Sequence, residues 1–241
     1  MRFFKDKVVW ITGASSGIGE ALVYEMVRQG AIVIASSNCS KELYNVKENC
    51  KAGKDRVHIA CFDLSACENI DKLVQEQIEE LKRIDFLINL GGVSQRARIE
   101  ETPLSLDRKI MEINYFGTIA LTKAVLPYMV KEKNGHILAT SSISGRFGFP
   151  LRSAYSASKQ ALHGFFETLH IENKANNIRA SVIIPGRVRT NISRHALLSD
   201  GSEHGKMDPG LDKGISPEKA ALTILKGIKR NRREIKVGGS E

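Results

Sequence analysis

Proline is scarce in this 241-residue chain (6 residues) and cysteine is limited to four, and no apolar run approaches the ~18 residues of a membrane-spanning helix. The absence of long apolar runs excludes a transmembrane reading. The short N-terminal stretch VVWIT is broken at once by glycines and is followed by no cleavage pattern, so it does not read as a secretion signal. Cys39, Cys50, Cys61 and Cys67 form no CxxC pair and have no zinc-finger spacing with histidine. A disulfide framework and a metal site are therefore not expected, and reduced thiols in a soluble cytoplasmic protein are. Internal repeats and low-complexity tracts are missing, which excludes solenoids and disordered linkers. Acid is outnumbered by base, giving a net charge of +9. The densest basic segment, KGIKRNRR (226–233), has no interleaved aromatic residue, so no nucleic-acid partner is expected, and attraction of a small anionic ligand is the better reading.

What is present is a regular alternation. Val8 to Ile11 form an all-apolar run of the kind found in strands buried on both faces. Glycines follow, then a helical period (Ile18, Leu22, Met26, with Val23 and Val27) closed by Gly30, and then the run AIVIA. This is a strand–helix–strand unit. RVHIACFDL, IDFLINL, GHILATSS, IRASVIIPG and EIKVGG read as further strands. SACENIDKLVQEQIEELKR, a segment from about Leu104 through Phe116 towards Met129, SAYSASKQALHGFFETLHIEN and SPEKAALTILKGIKR read as helices. The pattern predicts an α/β protein, one domain over 1–241: a doubly wound parallel sheet with helices on both faces, the Rossmann arrangement. Residues 191–214 are the exception, a long polar excursion of the sort that serves as a substrate lid.

Two local patterns carry chemistry. In TGASSGIG (12–19), Gly13, Gly17 and Gly19 separate a buried strand from a helix, where unpaired N–H groups and the helix dipole favour a pyrophosphate. The end of the second strand, ASSNCS, holds no acid between Ala35 and Ser40. A carboxylate there would bind the ribose hydroxyls of NAD and repel a 2′-phosphate, so NADP is favoured, with Ser37, Asn38 and Lys41 as candidate contacts and NAD as the alternative. Tyr155 and Lys159 stand one helical turn apart with only Ser156, Ala157 and Ser158 between them. They share a helix face, and an ammonium beside a phenol favours its ionised form, so the pair can trade a proton with an alcohol or carbonyl.

Taken in order along the chain, these segments resemble the compact single-domain branch of the short-chain dehydrogenase/reductase (SDR) family. The family's cofactor loop matches Thr12 to Gly19, placing Ser15, Ser16 and Ile18 with the three glycines at the dinucleotide. Its adenine-contacting aspartate matches Asp63, followed by Leu64, and its N-N-A-G stretch matches NLGG, with Asn89 and Gly92 intact and Gly91 between them. Its helix asparagine matches Asn114, its serine matches Ser142 of TSSISG, and its P-G-x-V-x-T segment matches Pro185, Gly186, Val188 and Thr190. NLGGVSQR and SAYSASKQALHGFFETL are most similar to the DHRS7-like dehydrogenase/reductases. The resemblance implies NADP(H)-dependent interconversion of a carbonyl and an alcohol. In it Tyr155 is acid or base, Lys159 tunes the phenol and holds the nicotinamide ribose, Ser142 polarises the carbonyl, and Asn114 holds a water. It also implies a homodimer or homotetramer acting on a small carbonyl or alcohol substrate. A catalytically silent dinucleotide sensor is the alternative of a different class, and such proteins tend to lose the tyrosine or lysine.

Overall fold

The computed structural model describes residues 3–238; residues 1, 2 and 239–241, which belong to the expected 1–241 unit, lie outside the described residues. Seven strands form one sheet: β1 Val8–Thr12, β2 Ile32–Ser36, β3 Val57–Ile59, β4 Phe86–Asn89, β5 Gly135–Thr140, β6 Ile178–Pro185 and β7 Glu234–Val237. Their order is β3-β2-β1-β4-β5-β6-β7, and every pairing is parallel. Consecutive strands diverge in opposite directions from the β1/β4 junction, which opens a crevice at their carboxyl ends.

The two-residue period of a strand assigns each side chain to a layer. Val9, Ile11, Val33, Ala35, Phe86, Ile88 and Ile183 pack into one core with α1 (Gly17–Arg28), α2 (Ser40–Asn49) and α8 (Pro217–Lys229). Val8, Trp10, Ile34, Leu87, Val182 and Ile184 pack into the other with α3 (Ile70–Leu81), α5 (Gly117–Lys131) and α6 (Ser153–Glu172). The continuous apolar runs of the sequence are thus strands covered on both sides. Trp10 is fully buried and donates its indole N–H to Ser36 Oγ at 2.7 Å, so its polar edge is satisfied. Two short helices complete the set, α4 (Leu104–Met111) and α7 (Pro209–Asp212).

The structure departs from the sequence pattern in three places. Helix α2 has no apolar stripe to announce it, since only Leu43 and Val46 are buried. The RVHIACFDL strand is regular only over Val57–Ile59, although Ala60 N and Phe62 N still donate to Ala35 O and Ser37 O of the neighbouring chain segment. The long helix expected from Leu104 towards Met129 is interrupted by a π-helical turn, Glu112–Phe116, with Asn114 fully buried inside it. Such a turn carries one extra residue per loop of backbone and so re-aims the side chains on it.

Candidate active site

A crevice of about 1310 Å³ runs along the carboxyl edge of the sheet, from the end of β2 past β1 and β4 to the lid. Its floor is the loop between β1 and α1. Gly13 has φ +64°, and a Cβ on it would lie 2.8 Å from Gly91 N; a Cβ on Gly19 would lie 2.0 Å from Gly13 O. Only glycine fits either place, and the backbone is therefore bare where an anion would approach. Ser16 precedes α1 with extended dihedrals and no side-chain cap, so the first N–H groups of the helix are not taken up by it. The Thr12 hydroxyl, at the start of the cofactor-loop motif, accepts from Leu90 N and Gly91 N at 3.1 Å each and ties the β1 and β4 ends together.

Most of the expected dinucleotide residues line this crevice: Gly13, Ser15, Ser16, Gly17, Ile18 and Gly19 of the floor; Ser37, Asn38, Asp63 and Leu64 at the β2 end; Gly91; and Pro185, Gly186, Val188 and Thr190 opposite. Asp63 accepts from Ser65 N and Ser65 Oγ at 2.8 and 2.7 Å, and those bonds hold its carboxyl below the usual range. Lys41 is not on the wall, whereas Glu42, one residue on, is. The first turn of α2 turns the lysine outward, which puts an acid where a basic contact was anticipated.

Two expected site residues do not reach the wall. Asn89 is buried in the sheet, its amide nitrogen donating to Thr122 Oγ1 (3.3 Å) and Leu138 O (3.2 Å). Asn114 accepts from Val93 N (2.8 Å) and donates to Val93 O (2.9 Å) and Ser158 Oγ (3.0 Å). Those bonds occupy both ends of its amide, so its side chain braces the segment after β4 against α6.

Ser142, Tyr155 and Lys159 converge on the crevice. Ser142 accepts from Ser144 N at 3.1 Å and leaves its own hydroxyl proton for another acceptor. Lys159 Nζ donates to Thr140 O at 2.9 Å and sits 5.8 Å from the centre of the Tyr155 ring. Behind it, Ser141 Oγ donates to Lys159 O and lies 2.8 Å from His163 Nε2, fixing the β5 end on α6. The electrostatics differ from the sequence expectation that Lys159 acidifies the phenol. Burial raises Tyr155 above its ordinary value, and the opposing influences are the Ser142 hydrogen bond and the Arg152 charge, which burial outweighs. Lys159 is directed at a carbonyl and over the ring rather than at the hydroxyl, and burial pushes it down to about 8.

That depression has a sign that stability measurements can read. The unfolded chain keeps its proton on Lys159 up to about 10.4, while the folded chain releases it near 8. Between those values the unfolded state binds more protons, and stability from this group rises with pH by about 3 kcal/mol. Tyr155 and Cys50, both raised by burial, act with the opposite sign at higher pH. The stability of the wild type minus that of Lys159→Met, followed by urea melts, is therefore expected to climb between pH 8 and 10; a flat difference would contradict the burial.

Residues 191–214, the expected lid, border the far end of the crevice. Ile192, Leu197 and Leu211 line the crevice, whereas Leu198 and Met207 do not. Asp208 Oδ2 meets Arg96 Nη1 at 3.1 Å and Arg152 Nη2 at 3.3 Å, clasping the lid to the loops that follow β4 and β5. These partly exposed pairs are worth ~1 kcal/mol. Asp208→Asn is expected to speed proteolytic cleavage within 191–214 about fivefold while leaving dinucleotide affinity unchanged.

A family profile described as short chain dehydrogenase matches residues 7–199. The chain belongs to the short-chain dehydrogenase/reductase family. It is 43% identical over 233 residues to the Dehydrogenase/reductase SDR family protein 7-like of Drosophila melanogaster, covering 95% of this chain and 72% of that one. A short-chain dehydrogenase from Streptomyces avermitilis has the same fold, with a TM-score of 0.86 and 29% identity over 98% of this chain and 89% of that chain. The closed form of a serine dehydrogenase complexed with NADP+ shares the fold at TM-score 0.86 and 23% identity, over 96% of this chain and 94% of that one. The chain is thus a DHRS7-like oxidoreductase, and no helix among the described residues is long and apolar enough to cross a membrane.

Proposed function

We propose that this SDR protein is an NADP(H)-dependent carbonyl reductase or alcohol dehydrogenase. The observation that carries the reading is the convergence of Ser142, Tyr155 and Lys159 on a crevice whose floor only glycines can form. A bound nicotinamide dinucleotide would supply or accept the hydride. The floor glycines and the N-terminus of α1 would hold its pyrophosphate, Asp63 and Leu64 its adenine side, and Val188 and Thr190 its carboxamide. Tyr155, a phenol that carries its proton at neutral pH and that burial raises further, gives that proton to the carbonyl oxygen as charge develops there. The Ser142 hydroxyl, which shares a hydrogen bond with Tyr155, would turn its proton to the same carbonyl oxygen and stabilise that charge. Lys159 would hold the nicotinamide ribose, and Asn114 positions α6 from behind.

NADP(H) is favoured because Ala35 to Ser40 offer no acid at the end of β2. Glu42 on the wall supports the second reading, NAD(H). Rates with NADPH and NADH across a panel of ketones, aldehydes, steroids and retinoids test both. NADPH is expected to give the higher kcat/KM, and Glu42→Gln to widen the margin. Preference for NADH in the wild type, lost in Glu42→Gln, would reverse the coenzyme assignment. A homodimer or homotetramer belongs to the same proposal, supported by the exposure of Leu104 and Phe116 along α4 and the π-helical turn; light scattering reads it directly.

A further inference from the structure

The helix that carries Tyr155 begins without a cap of its own. Arg152 precedes its first turn and contributes no side-chain cap. The N–H groups of the second and third helical residues, Ala154 and Tyr155, are the ones an N-cap side chain normally satisfies. They instead donate to Gln95 Oε1, at 2.9 and 3.3 Å, from a residue far back in the chain. The amide nitrogen of Gln95 donates to Thr102 Oγ1 (3.1 Å) and Ser153 Oγ (3.3 Å), so all its hydrogen-bonding capacity is directed and its orientation is locked. Gln95 is fully buried and is not on the crevice wall.

The main chain of the same segment holds the lid. Leu197 N donates to Ser94 O at 2.9 Å and Arg96 N to Leu197 O at 2.8 Å, a parallel bridge centred on Gln95. One residue thus joins the lid backbone to the first turn of α6.

We propose that Gln95 is a positioning residue for Tyr155: its side chain caps α6 from a distance and couples the placement of the phenol to the seating of the lid. The proposal rests on the reading of Tyr155 as the proton donor, because only then does the placement of its hydroxyl govern the rate. A misplacement of the order of 1 Å costs about 100-fold in rate where geometry is critical. The dinucleotide floor lies on another loop and is untouched by this cap.

The test uses the full chain with Gln95→Met, which keeps the length and loses the amide, and Gln95→Glu, which keeps the acceptor for the two N–H groups. Three quantities are read: hydrogen exchange of the Ala154 and Tyr155 amides, the ultraviolet titration of Tyr155 (each variant minus its Tyr155→Phe counterpart), and kcat beside the dissociation constant for NADPH. Gln95→Met is expected to lose protection at those amides, to move the Tyr155 titration back towards that of a solvated phenol, and to lower kcat about 10- to 100-fold with NADPH affinity unchanged. Gln95→Glu should restore most of each. If Gln95→Met does not fold, Thr102→Val, which removes one anchor of the amide, should give the same changes in weaker form. An unaltered Tyr155 titration and kcat in a folded Gln95→Met protein would overturn the proposal, as would loss of NADPH affinity in parallel with kcat. If Tyr155→Phe alone keeps full turnover, it is the proton-donor reading that fails, while exchange and titration still report on the cap.

Discussion

Replacing Tyr155 with phenylalanine is expected to lower kcat/KM for carbonyl reduction by ~100- to 10,000-fold, the usual worth of a positioned proton donor. The substitution removes one oxygen and leaves the buried ring in place, at 6 % exposure, so the wall of the crevice keeps its shape. The lost hydrogen bond to Ser142 costs ~1 kcal/mol of stability, a small fraction of the total. NADPH affinity should be unchanged, since the floor glycines and α1 belong to a different loop from the phenol and keep their backbone groups. The informative measurement is the pair, turnover and NADPH binding, on the same preparation. A silent dinucleotide sensor would show binding in both proteins and the same negligible turnover in both.

The second large effect is expected at the floor. Gly13→Ala places a methyl group 2.8 Å from Gly91 N and 2.9 Å from Gly91 Cα, in a residue held at φ +64°. The left-handed conformation alone costs an L-residue about 1–2 kcal/mol. Both offending atoms are backbone, so no side chain can swing aside, and the β1 and β4 ends must part where Thr12 joins them. NADPH affinity is expected to fall at least ~10-fold and the melting temperature by about 2–8 °C. Fluorescence titration and a thermal melt check the two together. Undiminished NADPH affinity would mean that this loop is not where the pyrophosphate sits.

The features of the fold and site that are legible in the sequence share a local signature. The β1 run is apolar throughout because both sheet faces are covered, and the glycines after it are needed by positive φ and close backbone approach. Tyr155 and Lys159 are legible because a helix puts residues four apart on one face. What stayed hidden depends on partners distant in sequence. The Gln95 cap on α6 and the Asp208 clasp on Arg96 and Arg152 leave no spacing pattern to find. Helix α2 buries too little to show a period. Asn89 and Asn114 match motif positions, yet the amide nitrogen of each donates to neighbouring protein groups and neither side chain lines the crevice, which only coordinates reveal. The charge balance at Tyr155 likewise follows from burial and from the direction of the Lys159 ammonium, neither of which a spacing of four encodes.

The claim on which all of this depends is that one crevice brings a dinucleotide to Ser142, Tyr155 and Lys159. A crystal structure of the full chain grown with NADP+ tests it most directly. The pyrophosphate is expected against residues 13–19 and the nicotinamide beside Tyr155 and Lys159, with its carboxamide at Val188 and Thr190. A dinucleotide bound elsewhere, or a nicotinamide turned away from the Tyr155 hydroxyl in a fully occupied site, would contradict it.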